Sequence, residues 1–429
     1  MVVPFFSVPV GTEEKLVFGK AHYSWRIAAD HFIAMFEQES IAPRLVVSPH
    51  MYDSEVSMSY LMKGRAGVPV HMIFRPFSDV RLLKPAYNIG VIVWEFDSLN
   101  GCDGLNDLPD THPFHNQIRM LKILDEVWTA SSYAKNVYER YGVKNVKLIP
   151  APIKLRYTGR RARKNLNLLS FVNSSTVDMS HQRSPHSNYL LNARNTKALS
   201  QQEILKDRGS RKVYISILNP GDERKNISVL LKAFAGFHKK NPDAILIVKC
   251  SIDNIATTLE VVQRDTIRHK LQDTVSVSSP GIILISASLN QDELNEFFDI
   301  ADFYVCTSRC EGQNLPLLEA MASGVVPISV SNTAMSDYIE EENSFLINSE
   351  KSPVSNGNAT AHFGEKMHWF EASERDVLAA LVASYDSSEE ILEKKRSACA
   401  KMITEKYSPK AVFAKVEDSF LNIEKNVKC

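Results

Sequence analysis

The residues with the clearest chemical potential are two glutamates that stand eight positions apart. An apolar strand is expected to end at about Cys306, followed by a polar loop with Glu311 and Gly312 and a helix from Leu315. Glu319 then lies about one turn into that helix, so both carboxylates can face one crevice at the carboxyl end of a sheet. Helix N-termini attract anions such as phosphate, and ionised carboxylates accept hydrogen bonds from sugar hydroxyls. The stretch therefore indicates a site for an anionic, hydroxyl-rich ligand.

Two adjacent cations precede a second predicted helix. Arg224 and Lys225 come directly before Asn226, which is a natural N-cap for a helix that begins at Ile227. Because a helix N-terminus and two cations favour the same ligand, the sequence predicts a diphosphate site here. The plainer alternatives are a solvated Arg-Lys pair at this helix and a solvated surface carboxylate for either glutamate.

Polar residues also follow a predicted strand in the amino-terminal half. Glu95 and Asp97 lie at the carboxyl end of that strand, where an interdomain cleft is expected to open. Glu95 is therefore a candidate for catalytic assistance. His112 and His115 are nearby candidates, with a surface or structural role as the alternative for each.

The stretch 306–328 resembles the signature of retaining GT-B glycosyltransferases of the family 4 type. The likeness lies in the two glutamates and in the residues in register with them, which are Gly312, Leu315, Pro316, Ala320, Gly324 and Pro327. Residues 218–234 are similar to the first strand and diphosphate loop of that family's carboxyl-terminal domain. The family's acceptor domain is similar to residues 87–97, 125–134 and 146–153.

The resemblance implies an α/β fold of two Rossmann-like, doubly wound parallel-sheet domains that face a cleft (GT-B). It also implies a C-terminal helix that returns to the N-terminal domain. The expected activity is that of a retaining, metal-independent hexosyltransferase-like enzyme in polysaccharide, glycolipid or glycan biosynthesis. Its partners would be a nucleotide-diphosphate sugar as donor substrate and a glycan or lipid-linked acceptor, with no cofactor.

The resemblance assigns roles to individual residues. The leaving diphosphate would be stabilised by the two cations, and the acceptor would attack on the leaving-group face of the sugar. Glu319 would bind the nucleoside ribose, and Glu311 the hydroxyls of the transferred sugar. The catalytic residues that the resemblance implies are Glu311, Arg224 and Lys225, and Glu95 joins them as a candidate from its position at the strand end. The implied donor-binding residues are Glu319, Gly312, Gln313, Asn314 and Leu315.

Departures from the family pattern keep other functions open. Many relatives have an arginine soon after the strand, where this chain has 219–223, and a histidine near the strand end that carries Glu95. A catalytically inactive GT-B protein that binds glycans or acts as a partner subunit is therefore an alternative. A phosphorylase or sugar-nucleotide epimerase on the same architecture is a third.

Several competing signals are absent from the sequence. It has no Gly-x-x-x-x-Gly-Lys-Ser/Thr loop and no Gly-x-Gly-x-x-Gly turn, which argues against nucleoside triphosphatases and nicotinamide or flavin enzymes. It has no Asp-x-Asp pair to hold a divalent metal on a nucleotide sugar. The net charge of zero gives no global attraction to nucleic acid.

The elements that must position these residues alternate between strands and helices in both halves. This pattern predicts two parallel sheets covered by helices. The predicted domains are 1–153 on the acceptor side, a basic linker or insertion at 154–211, a nucleotide-sugar domain at 212–408 and a final helix at 409–429. Within 212–408, the predicted helices include one over about 257–271.

Composition and charge bound the remaining possibilities. Residues 154–212 hold 13 Lys or Arg against three acids, so a mobile linker is expected, with docking on an anionic membrane or on a phosphorylated partner as the alternatives. No apolar stretch is long enough to span a bilayer, and Met1–Val10 lacks the basic start of a signal peptide. The six cysteines suggest no disulfide framework. We therefore expect a cytoplasmic protein, with peripheral binding at the cytoplasmic membrane face if the basic segment docks there.

Overall fold

A computed structural model of the chain shows two α/β domains joined by two crossings of the chain. The structure describes residues 2–8, 21–46, 49–52, 54–64, 66–99, 117–159, 176–178, 212–252, 257–258, 260–262, 281–286, 289–354 and 367–427. The expected alternation of strands and helices in both halves is confirmed.

The N-terminal domain is built on a six-stranded parallel sheet with the order β2-β1-β3-β4-β5-β6. Its strands are β1 (Val2–Ser7), β2 (Arg44–Leu45), β3 (Val68–Ile73), β4 (Tyr87–Val91), β5 (Glu126–Thr129) and β6 (Val146–Leu148). Its helices are α1 (Ala21–Gln38), α2 (Glu55–Leu61), α3 (Gln117–Lys122) and α4 (Ser132–Arg140). The sheet carries Glu95 and Asp97 just beyond the end of β4.

The C-terminal domain has a seven-stranded sheet with the order β13-β12-β11-β8-β9-β10-β7. Its strands are β7 (Thr176–Asp178), β8 (Lys212–Leu218), β9 (Ala244–Cys250), β10 (Ile282–Ser286), β11 (Phe303–Cys306), β12 (Val326–Val330) and β13 (Phe345–Ile347). Helices α5 (Ile227–His238), α6 (Gln291–Ile300) and α7 (Leu315–Ala322) connect them. Because β8 and β11 are parallel neighbours, the loops that follow them meet at one edge of the sheet.

A strand pair extends from the C-terminal domain onto the N-terminal domain. Strands β14 (Glu350–Pro353) and β15 (His368–Glu371) pair antiparallel. Met367 and Trp369 are fully buried in the same apolar cluster as Trp94 and Phe96 of the N-terminal domain. We call β14 and β15 the bridging strands, because Trp369 of β15 and the flanking residues Val354 and Met367 belong to the core of the opposite domain.

The end of the chain returns to the N-terminal domain. Helices α8 (Glu374–Tyr385) and α9 (Glu389–Met402) and a π-helical turn (Ile403–Tyr407) lead into α10 (Pro409–Val427). One face of α10, formed by Val412, Val416, Phe420 and Ile423, is buried in the N-terminal core. The predicted return helix is thereby confirmed. The two crossings lie side by side, because the backbone N–H of Ile153 donates to the carbonyl of Tyr407 at 2.7 Å.

A buried carboxylate fixes α10 to β5 and β6. Glu126 is 3% exposed and accepts hydrogen bonds from the Trp128 indole and from the Ser419 hydroxyl of α10. Lys147 lies 3.0 Å from the second carboxylate oxygen and also donates to Ser419 at 2.9 Å. A buried charge is tolerated only when it is paired and hydrogen-bonded, and this network meets both conditions.

Some elements differ from the sequence prediction. Strand β1 was not predicted, because Val2–Ser7 is apolar on both faces and lacks the alternation of a half-buried strand. Strand β4 ends at Val91, four residues before Glu95, which was expected at its carboxyl end, since the backbone beyond it leaves the sheet toward the other domain. The predicted linker supplies β7, which pairs antiparallel with β10. The rest of 160–211 and most of the predicted helix at 257–271 lie outside the described residues.

The described helices include none that is both long and apolar enough to cross a membrane. Residues 154–159, at the start of the predicted linker, contact the C-terminal domain. There the backbone N–H groups of Arg156 and Tyr157 both donate to the carbonyl of Ala322 at 2.8 Å. The domain boundaries themselves stay predictions.

Replacing Glu126 with alanine tests the attachment of the last helix. The substitution leaves Lys147, Trp128 and Ser419 without their common acceptor, so we expect the free energy of unfolding to fall by about 3 kcal/mol. Glu390→Ala is the matched control, because Glu390 is exposed and pairs only with Lys394 four residues on. It should change stability by less than about 0.5 kcal/mol in the same urea titration. Equal effects of the two substitutions would contradict the role of Glu126.

Candidate active site

The loops after β8 and β11 begin two helices in the same way. Asn226 precedes α5 and Asn314 precedes α7, and both have left-handed backbones, with φ of 51° and 62°. Asparagine tolerates this conformation better than other non-glycine residues. Neither side chain makes an N-cap hydrogen bond. Asn226 is at the N-cap position, as predicted, but its side chain does not cap the helix. A side-chain cap requires an extended backbone, and the backbone of Asn226 is left-handed.

Arg224 lies at the centre of a charge network that includes both domains. Its guanidinium binds Asp222 through Nε at 3.1 Å and Nη2 at 2.7 Å, and its Nη1 donates to Glu95 of the N-terminal domain at 2.7 Å. Burial opposes the charged form, but the carboxylates of Asp222 and Glu95 outweigh it and raise the pKa of Arg224. The guanidinium is therefore a permanent cation at the domain interface.

Lys225 pairs with the first glutamate of the eight-residue spacing. Its ammonium lies 2.5 Å from Glu311, whose side chain is 7% exposed. Burial lowers the pKa of Lys225, but the charge of Glu311 more than compensates and raises it. Thr307 holds the loop behind the cation by donating to the carbonyls of Lys225 and Asn226, each at 3.2 Å. The structure thus brings Glu95, Arg224, Lys225 and Glu311 together, as the sequence predicts.

The segment after β4, residues 93–97, forms the N-terminal side of this site. Val93 lies against Gly312, where an added Cβ would come within 3.0 Å of the valine. Asp97, four residues on, accepts a hydrogen bond from the backbone N–H of His368 at 2.9 Å and pairs with Lys351 at 2.9 Å. Burial raises the pKa of Asp97, but Lys351 and His368 outweigh burial and bring the pKa below its ordinary value. Gly312, predicted to let an anion approach, is here approached by the other domain.

Arg309 connects the bridging strands to residues 222–226, which we call the arginine loop. Its guanidinium donates to Glu371 at 2.6 Å and to the carbonyl of Glu223, and it stacks 4.7 Å from the Trp369 ring centre. Its backbone N–H donates to the carbonyl of Arg224 at 2.7 Å. The residue lies inside the motif around Glu311, but its partners come from two segments that are distant in sequence, so no sequence pattern indicated this role.

The side chain of Gln313 is hydrogen-bonded to the backbone of the first chain crossing, at Ala151. Its amide accepts from the backbone N–H of Ala151 and donates to the carbonyl of the same residue, both at 3.0 Å. Its own carbonyl accepts from the Tyr338 hydroxyl at 2.9 Å. The side chain predicted to bind the donor is therefore occupied in joining the two domains.

The remaining predicted donor-binding residues lie at the start of α7. Asn314 donates to the sulfurs of Cys306 and Met335, at 3.2 and 3.5 Å. Leu315 packs against the apolar clusters of both domains. Their side chains support the loop, so any contact with a donor would come from the backbone at the helix start.

Glu319 belongs to a different network from Glu311. Its carboxylate lies 3.4 Å from Nε2 of His31, which projects from α1 of the N-terminal domain. No motif singled out His31, since a histidine within an amphipathic helix has no characteristic sequence context. His112 and His115, the other candidate histidines, lie outside the described residues. Within the described ranges, no three His, Cys, Asp or Glu side chains are grouped so that they could hold a metal ion.

Comparison with known proteins places this site in context. Residues 200–355 match the family model described as glycosyl transferases group 1, and that segment contains both the cation pair and the two glutamates. No curated protein sequence matches the chain.

Solved structures resemble the whole chain in its fold. The N-terminal domain of trehalose-6-phosphate phosphatase from Candida albicans is similar at a TM-score of 0.54 and 10% identity, over 98% of this chain and 96% of that one. A trehalose-phosphate synthase from Burkholderia xenovorans is similar at 0.52 and 10% identity, over 88% and 80%. The chain has a GT-B fold. Within this fold, residues 200–355 are the part that matches the glycosyl transferase family model.

A longer structure covers the same region. TarM of S. aureus is similar at a TM-score of 0.49 and 14% identity, over 84% of this chain. The present GT-B chain spans 57% of the length of TarM and 60% of that of the pneumococcal transferase GtfA.

Gln313→Ala distinguishes a structural role from donor binding. Losing the amide leaves the buried N–H and carbonyl of Ala151 unpaired, so the free energy of unfolding should fall by about 2 kcal/mol. Gln291→Ala, on an exposed helix start, is the control and should have little effect on stability. Urea denaturation measures both. Unchanged stability, together with weaker nucleotide binding, would restore the original prediction.

Proposed function

We propose that the chain is a retaining glycosyltransferase that moves a sugar from a nucleotide-diphosphate sugar to an acceptor hydroxyl. The observation that carries this proposal is the joining of Arg224, Lys225 and Glu311 at neighbouring strand ends, inside the segment that matches the glycosyl transferase family. The acceptor would be a glycan or a lipid-linked glycan in a biosynthetic pathway.

A diphosphate can replace the carboxylates that pair with the two cations. Glu95 and Glu311 each offer a carboxylate to one cation, and a diphosphate offers more oxygens at the same place. Asn226 adds a neutral donor. Its amide is 2% exposed beside Lys225, and neither of its polar atoms has a hydrogen-bond partner among the described residues. Buried amides normally find partners, and a phosphate oxygen at the start of α5 would supply one.

Each of these groups has a separate role in the proposed reaction. The bond between the anomeric carbon and the diphosphate oxygen breaks, and Arg224 and Lys225 stabilise the charge that develops on that oxygen. The acceptor hydroxyl forms the new bond on the same face and gives its proton to the departing phosphate. Glu311 binds hydroxyls of the transferred sugar. Glu95, released from Arg224 by the diphosphate, is the carboxylate that the N-terminal domain presents to the acceptor.

Removing either cation should slow the reaction. For Arg224→Met and Lys225→Met we expect kcat to fall about 100-fold or more, because the lost charge acts on the transition state. Lys232→Met is the matched control, since Lys232 lies farther along α5 and pairs with Glu374. Transfer and donor hydrolysis, measured with a panel of UDP-, GDP- and ADP-sugars, provide the rates. A loss of solubility with unchanged kcat would favour the solvated Arg-Lys pair.

The same panel separates the alternative functions. If wild-type protein binds nucleotide sugars but neither transfers nor hydrolyses them, the inactive glycan-binding or partner subunit is the better interpretation. Activity that needs free phosphate would indicate a phosphorylase. Conversion of the nucleotide sugar alone would indicate an epimerase.

The mechanism predicts tolerance to chelation. Two protein cations, rather than a divalent metal, neutralise the diphosphate, so transfer should continue in EDTA at close to its original rate. The measurement is turnover before and after dialysis against EDTA. Loss of activity that Mn²⁺ or Mg²⁺ restores would overturn the metal-free mechanism.

A further inference from the structure

His31 connects three parts of the molecule. It projects from α1 of the N-terminal domain, and its side chain is 19% exposed. Its Nδ1 lies 2.9 Å from the carbonyl oxygen of Pro152 in the first chain crossing. Its Nε2 lies 3.4 Å from the carboxylate of Glu319 on α7 of the C-terminal domain. Of these two contacts, the one with Glu319 forms only while the two domains are together.

The neighbours of the ring decide its protonation state. A carbonyl oxygen and a carboxylate oxygen are both acceptors, and each faces one ring nitrogen. A neutral imidazole has one N–H, so it would leave a lone pair directed at one of the two acceptors. The imidazolium donates to both. Burial lowers the pKa of His31, but Glu319 and the Pro152 carbonyl outweigh it and raise the pKa above its ordinary value.

The charged groups around the ring favour its protonated state. Glu319 acts on it from α7, and Asp30 acts on it from α1 at longer range. Asp30 is half exposed and pairs with Arg26 at 2.8 Å, so it contributes less. The first crossing presents only the neutral carbonyl of Pro152.

We propose that His31 is a positioning residue for the donor. Its protonated imidazole holds the Glu319 carboxylate in place for hydroxyl groups of the donor's nucleoside, and donor affinity falls when the ring loses its proton. A carboxylate has about four lone-pair directions, so one bond to His31 leaves acceptors for two hydroxyls. This inference rests on the proposed function, because it assigns the nucleoside hydroxyls to Glu319.

The proposal predicts a separation of kinetic constants. In this assignment His31 acts through Glu319 and not on the reacting atoms, so kcat should change less than about twofold. The KM for the donor should be constant at low pH and rise about tenfold as pH passes the pKa of the ring, because a charge-assisted bond is lost. The sign is fixed, since the raised pKa means that the contact is present below it and absent above it.

The test compares variants over pH 6 to 9.5. His31→Gln offers one donor nitrogen in place of two, carries no charge and does not titrate, so its donor KM should be high and independent of pH. Glu319→Gln should show the same flat profile. His368→Gln is the matched control, because it removes another histidine that pairs with a carboxylate of the opposite domain, Asp97. Its KM should keep the pH dependence of the wild type.

A second measurement needs no turnover. Imidazole NMR of the full-length chain, with His31 assigned by its absence in His31→Gln, should show a pKa above about 6.5 that falls in Glu319→Gln. Calorimetry with UDP, GDP and ADP then measures binding at pH 6 and pH 9. A ring that titrates at or below the ordinary value overturns the proposal, and so does unchanged nucleotide affinity in His31→Gln while wild type binds. If no nucleotide diphosphate binds wild type, the proposed function fails and takes this inference with it.

Discussion

Two neighbouring cations at the start of one helix are the constraint on which the rest of this structure depends. Arg224 and Lys225 repel each other, and a largely buried cleft gives them little water, so each needs a carboxylate nearby. Asp222 and Glu311 come from the same domain, but Glu95 comes from the other. Glu95 adds a carboxylate from the N-terminal domain to these pairs, so the same charge network also holds the two domains together.

Residues 93–97, which follow β4, extend this contact between the domains. Val93 contacts Gly312, Glu95 binds Arg224, and Asp97 binds the bridging strands. Arg309 links the bridging strands back to the arginine loop. The arginine loop, residues 93–97 and the bridging strands thus all contact one another. Moving any one of them changes the contacts of the other two.

The sequence predicted the fold and the members of the charge network because both depend on local patterns. The spacing from Glu311 to Glu319 and the apolar face of α5 can be recognised without knowing what packs against them. The partners could not be recognised. Whether Gln313 binds a donor or Ala151, and whether Asn226 caps through its side chain or adopts a left-handed backbone, depends on segments distant in sequence. Strand β7 was missed for a similar reason, since three residues in a polar stretch become a strand only beside β10.

The two crossings of the chain decide how the domains can move. The backbone at Ile153 is hydrogen-bonded to Tyr407 in the π-helical turn, so the crossings form one narrow band rather than two separate tethers. A pair of bodies joined along one band can rotate about it but resists sliding and twisting. In an opening of the cleft by rotation about this band, groups far from the band travel the longest arc. Those near it, such as Pro152 and Gln313, stay almost still.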